Sequence, residues 1–184
     1  MEDRMNRRDV LKLSVAAGVT LVTGGISKIA DAATKEKNPS NKPEYAKIQY
    51  LKSLNCSQSI LETYAPSIGI SVAQARSVAS AFAGGMGMGL ECGAVTGAFM
   101  VIGMKCGNTA DSDSRADNET FKRVAEFTKE FKARHKHINC SKLLETDMNT
   151  PEGLQKAASK GYFTLRCPMY VKSAAEILDK ILAQ

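Results

Sequence analysis

The chain has 184 residues, a net charge of +6, a pI near 9.1, five cysteines and no tryptophan. About 150 residues remain once a leader is set aside, enough for one domain with one core. The basic residues Lys122, Arg123, Lys129, Lys132, Arg134 and Lys136 alternate with Glu126 and Glu130. That is a solvated helix face, and with no basic motif interleaved with stacking aromatics it argues against nucleic acid. G-x-S-x-G, H-E-x-x-H and a phosphate loop ending in lysine are missing, which argues against a hydrolase or nucleotide enzyme.

Residues 1–33 read as an address. Arg7-Arg8 precedes a mildly apolar stretch over 13–29, and Ala30-Asp31-Ala32 has the form of an A-x-A cleavage site. This resembles a bacterial twin-arginine export signal, so the expected location is periplasmic or otherwise exported. The rival is a retained anchor, but 13–29 is at the short limit for a bilayer and holds Gly18, Gly24, Gly25 and Lys28. Residues 34–43 are polar and rich in Lys, Asn and Pro, as in a linker. The domain is expected over 44–184. Its most apolar segment, 92–104, is too short to span a membrane and is bracketed by Glu91 and Lys105.

Within the domain the pattern predicts an all-α, single-domain helical bundle. Residues 43–64 form a helical stretch broken near Asn55, closed by Pro66 and Gly69. Ser71, with Gln74 three residues on, caps a helix over 71–83. The run Gly84-Gly85-Met86-Gly87-Met88-Gly89 leads into a helix over 90–106 that is apolar nearly all round. Gly89, Gly93 and Gly97 share one face of it. Gly costs about 1 kcal/mol against Ala in a helix, so these glycines answer a steric demand, either a packed helix or a cofactor against the backbone. If exposed, that face would favour a homodimer. An amphipathic helix over 117–136 follows, then short elements opening at Cys140 and Thr150. Strand signals are weak, Phe163-Thr164-Leu165 being at most one short extended stretch, and a last helix runs over 168–182.

Four cysteines sit at predicted helix N-termini. Cys56 and Cys140 follow the N-cap residues Asn55 and Asn139, Gln58 completes a capping-box pattern, Cys92 follows the glycine run, and Cys167 precedes Pro168. Unpaired N–H groups and partial positive charge there stabilise thiolates, the form that binds metals and attacks disulfides. Cys106 instead ends a helix, with Gly107 as the C′ residue. It lies roughly 21 Å along the helix from Cys92 at 1.5 Å per residue, so the two cannot share a site.

Cys92-Gly93-Ala94-Val95-Thr96-Gly97, with Cys56 before it and Cys140 and Cys167 after, resembles the four-cysteine family named for its C–GCAxxG–C–C pattern. That family is described as redox-active, many members carry a twin-arginine signal, and split-Soret cytochrome c contains a similar domain with an iron–sulfur cluster. The resemblance covers nearly all of the domain and implies that Cys56, Cys92, Cys140 and Cys167 act together. The lack of C-x-x-C-H argues against covalent haem.

Three readings are open. Four thiolates could hold an iron–sulfur cluster, with [2Fe–2S] favoured, for electron transfer to a partner the sequence does not name; an acidic one would suit the basic helix face. The chain could be a thiol–disulfide oxidoreductase with Cys92 as the reactive thiol, or a non-enzymatic domain stapled by disulfides. Zinc, with His135 and His137 beside Cys140, is the third; their spacing of two turns them to different helix faces. Met86 and Met88 could bind Cu(I), though filling gaps is the commoner role of Met.

Overall fold

The computed structural model describes residues 39–109 and 114–183. The stretch 1–33 read as an export signal, and residues 34–38 of the expected linker, lie outside the described residues. Chain direction is set by a series of local caps. Helix α1 (Lys42–Ser53) starts at Asn41, has Pro43 in its first turn, and ends where Leu54 turns left-handed at φ 52°. Helix α2 (Cys56–Ile68) starts at once. The Asn55 carboxamide oxygen accepts the Gln58 N–H at 3.0 Å and the Ser57 hydroxyl at 2.9 Å, while its nitrogen donates to the Ser80 carbonyl at 3.2 Å. The expected capping box is only half formed, because the Gln58 amide donates instead to the Arg76 carbonyl of the next helix at 2.8 Å. Pro66 does not stop α2 but lies inside it, and Gly69 (φ 78°) ends it.

The Asn55 side chain therefore ties the start of α2 to the chain at Ser80 as well as capping the helix. Asn55→Ala should cost about 1–2 kcal/mol, at the upper end for an N-cap, measured as a fall in urea midpoint with an unchanged slope.

Helix α3 (Val72–Ala79) has the predicted box, with Ser71 and Gln74 each bonded to the other's backbone N–H, and one tight turn over Ser80–Phe82 extends it. Helix α4 (Gly93–Cys106) begins three residues later than the pattern suggests. Leu90 and Glu91 are held instead in an extended bridge with Asn139. Gly107 follows α4 in extended rather than left-handed form (φ −69°). Helix α5 (Ser114–His135) is amphipathic and buries Phe127 and Phe131. Two short helices follow, α6 (Cys140–Leu144) and α7 (Pro151–Ser159), the latter capped by Thr150. The stretch read as extended is helical: α8 (Tyr162–Leu165) springs from Gly161, whose φ of 66° turns the chain into it. Helix α9 (Cys167–Leu182) closes the domain.

The described residues hold no strand, so the domain is all-α, as expected, and none of its helices is long and apolar enough to cross a membrane. The main core joins Ile60 and Tyr64 of α2, Val95 and Ile102 of α4, Phe127 and Phe131 of α5 and the inner face of α9. A smaller cluster under α6 and α7 contains Cys140, Leu144, Met148 and Ala157. Cys167 and Tyr170 pack against both, so the first turn of α9 is the seam between them.

Gly93 and Gly97 of α4 answer to α2. A Cβ on Gly97 would lie 3.0 Å from the Ser57 carbonyl oxygen and 3.1 Å from Ile60 Cβ; one on Gly93 would lie 2.5 Å from Cys56 Sγ and 3.1 Å from the Ser57 nitrogen. The demand is a neighbouring helix, and at Gly93 it is also a sulfur.

Candidate functional site

Each of the four motif cysteines stands where a helix begins. Cys56 is the first residue of α2, Cys140 of α6 and Cys167 of α9, and Cys92 is the cap residue of α4. Backbone pairing holds two of these starts together: the Cys92 N–H donates to the Ile138 carbonyl at 2.8 Å and the Cys140 N–H to the Leu90 carbonyl at 2.5 Å. The glycine run wraps beside them. Gly89 needs its φ of 72° and its bare Cα, since a Cβ would run into the Ser141 hydroxyl and lie 3.1 Å from Met148 Cβ. All five cysteines are free thiols; Cys56, Cys92 and Cys140 are buried, Cys167 and Cys106 half-buried.

Cys56 and Cys92 are neighbours, Cys56 Sγ resting against Gly93, the residue after Cys92. Hydrogen bonding with the Cys92 side chain is the largest cause holding the Cys56 thiol below its ordinary pKa. Backbone N–H groups of Gly84, Cys56 and Ser57 add to it and outweigh burial. The same bond pushes Cys92 the other way, helped by burial and by the charge on Cys56. A helix N-terminus thus acts on Cys56 as electrostatics demands, whereas Cys92, the residue favoured from the sequence as the reactive thiol, is the proton donor of the pair.

Cys140 and Cys167 complete the neighbourhood. Burial pushes the Cys140 thiol up to about 12, with the charges of Cys56 and Cys167 adding. Burial pushes Cys167 up to about 11, opposed by a hydrogen bond from the Tyr50 hydroxyl. Tyr50, on α1, is 2% exposed, and burial followed by the Cys167 charge raises its own pKa, with smaller contributions from Cys56 and Cys92. Sequence reading missed Tyr50 because nothing in its local pattern sets it apart from any core tyrosine.

The remaining candidates stand elsewhere. Cys106 is the last residue of α4. The His135 ring packs 4.7 Å from Phe131 and 5.0 Å from Tyr170, and burial lowers its pKa. His137 and Met88 are exposed. Among the described residues no three His, Cys, Asp or Glu side chains are grouped as ligands of one metal ion. A tetrahedral zinc site needs its sulfurs at about 2.3 Å from one centre, so the residues as placed do not fit zinc.

One protein family, described as "Putative redox-active protein (C_GCAxxG_C_C)", has a model that matches residues 54–181. The chain belongs to this family. All four motif cysteines lie inside the matched span, and Tyr50 lies ahead of it. In this member glycine follows the second cysteine, as Cys92-Gly93, and Gly93 is the position against which Cys56 Sγ rests. No match is found among curated proteins or among solved structures.

Proposed function

We propose that this redox-active protein works through a reversible dithiol–disulfide couple formed by Cys56 and Cys92. The observation that carries the reading is the packing of Cys56 Sγ against Gly93, the residue that follows Cys92, in a setting where Cys92 and three backbone N–H groups hold the Cys56 thiol below its ordinary pKa. In the exchange, the Cys56 thiolate attacks one sulfur of a small disulfide and releases the other half as a thiolate, which takes the proton of Cys92. Cys92 then attacks the Cys56 sulfur, expels the second half as a thiolate and leaves the Cys56–Cys92 bond. Two electrons pass to the acceptor, and a dithiol reductant reverses the sequence. Exposures of 9% for Cys56 and 5% for Cys92 suit a small acceptor rather than a folded protein's disulfide. Residues 1–33, read as an export leader, would put this chemistry outside the cytoplasm, where disulfides persist.

A second reading is supported by the convergence of four thiols at helix starts. A two-iron cluster takes its four thiolates in two pairs, so it does not require three ligands around one ion. Cys56, Cys92, Cys140 and Cys167 would hold it, and it would supply one-electron exchange. Coordination would also relieve the cost of ionising Cys140 and Cys167, because a metal deprotonates its thiols outright.

Anaerobic purification followed by thiol counting and iron and sulfide analysis separates the two. The dithiol reading expects five free thiols, two of which disappear with one equivalent of a small disulfide. Equal iron and acid-labile sulfide, with four thiols masked until the iron is chelated, would replace it with the cluster.

A further inference from the structure

Away from the thiols, helices α2, α3 and α4 leave an open groove of about 430 Å³ between them, within the roughly 300–1,000 Å³ range of small-molecule sites. Leu61 of α2, Ile70 of the turn after it, Val78 of α3 and Met100 and Met104 of α4 line it, and none of the lining residues is charged. Val78 and Met104 stand 61% and 50% exposed there, and methionine re-packs around varied apolar shapes. The one polar side chain in the lining is Gln74. Its carboxamide oxygen accepts the Ser71 N–H and the Ser71 hydroxyl, both at 2.9 Å, which leaves its N–H donors for another group.

The seventh lining residue is Gly103. It is helical, without the positive φ of a turn, and a Cβ there would meet nothing within 4 Å. Gly93 and Gly97 are explained by α2, but nothing in the described fold calls for glycine at 103, where alanine serves a helix better. What the bare backbone does provide is room in the groove. Seven lining residues are too few for a protein partner or a second copy, which takes about 800 Å² and roughly 20–30 residues a side. A charged occupant would lose its hydration with no counter-charge to meet it.

We propose that this groove binds a small, uncharged, mostly apolar molecule with one hydrogen-bond acceptor, such as a carbonyl oxygen, which lies over Gly103 and accepts from the Gln74 amide. The site shares no residue with the cysteine set and stands whichever redox reading holds.

The test is fluorescence titration of the full-length protein with 6-propionyl-2-dimethylaminonaphthalene, an uncharged aromatic ketone whose emission shifts to the blue out of water. Two variants oppose binding without opposing the fold. Gly103→Ala puts a methyl group into the groove and should weaken the probe about tenfold, in the lower part of the range for overpacking. Gln74→Glu keeps the oxygen that Ser71 needs, since glutamate completes a capping box as glutamine does, but removes the donor and should weaken the probe at least about fivefold. Phe121→Ser, which removes the most exposed large apolar side chain among the described residues, at 70%, should leave the affinity unchanged. Urea unfolding should find the first two variants at least as stable as the parent, so that weaker binding does not come from a lost fold. A blue-shifted probe whose affinity both variants lower upholds the site. No blue shift, equal affinity in all four proteins, or a loss in Phe121→Ser instead overturns it. So does a dimer in sedimentation that Gly103→Ala dissociates, which would make a second copy the occupant.

Discussion

Gly93→Ala should destabilise the fold by about 1–3 kcal/mol, the range for overpacking a tight core, and should separate Cys56 from Cys92. The added Cβ would lie 2.5 Å from Cys56 Sγ, 2.9 Å from the Phe82 carbonyl oxygen and 3.1 Å from the Ser57 nitrogen. Two of those three atoms belong to the backbone and cannot swing aside. Opposing this is the gain of up to about 1 kcal/mol from alanine over glycine in a helix, which is smaller at Gly93 because it is the first residue of α4. The clash wins. Gly103, in the last turn of the same helix, is the control, since a Cβ there meets nothing within 4 Å. Gly103→Ala should stabilise by about 0.5–1 kcal/mol. Urea unfolding of the three proteins checks both signs, and opposite signs on one helix would exclude a general effect of alanine.

The second large effect belongs to the pair itself. Cys56→Ala and Cys92→Ala should each abolish the two-thiol oxidation completely, because neither can close the bond. They should differ in what remains. In Cys92→Ala, Cys56 loses the hydrogen bond that contributes most to stabilising its thiolate. Valued at about 1 kcal/mol, that bond is a factor of about five in equilibrium, and because the Cys56 pKa lies at about 7 its alkylation should slow about threefold at pH 7 and approach fivefold only at lower pH. In Cys56→Ala, Cys92 loses the acceptor and the negative charge that push its pKa up, and should be alkylated faster. Alanine is the right replacement, since serine at 92 would restore a donor. Site-resolved alkylation rates check the asymmetry, and equal slowing of both partners would contradict it.

What could be read from the sequence was local. Asn55, Ser71, Asn139 and Thr150 announce helix starts because a cap needs only a short polar side chain and the N–H three residues on. The same logic put all four motif cysteines in the right backbone setting and Cys106 at a helix end. It went astray where a distant partner competes. Gln58 left its capping box for the Arg76 carbonyl, and Leu90 and Glu91 left α4 for a bridge with Asn139. Phe163-Thr164-Leu165 looked extended because aromatic and β-branched residues favour strands, but Gly161 turns the chain into a helix that packs under α7. Which cysteines meet, and which of them carries the charge, depends on helix packing. Gly93 and Gly97 bring α4 onto the start of α2, and only that approach puts Cys92 against Cys56. Tyr50 had no local signal because its partner comes from the far end of the chain.

The most direct measurement is peptide mapping of the full-length protein after one equivalent of a small disulfide, with and without subsequent reduction. A single reversible cross-link between the peptides carrying Cys56 and Cys92, with Cys106, Cys140 and Cys167 still alkylatable, is the expected result. A cross-link pairing either sulfur with another cysteine, or no cross-link in protein that remains folded, would contradict the couple.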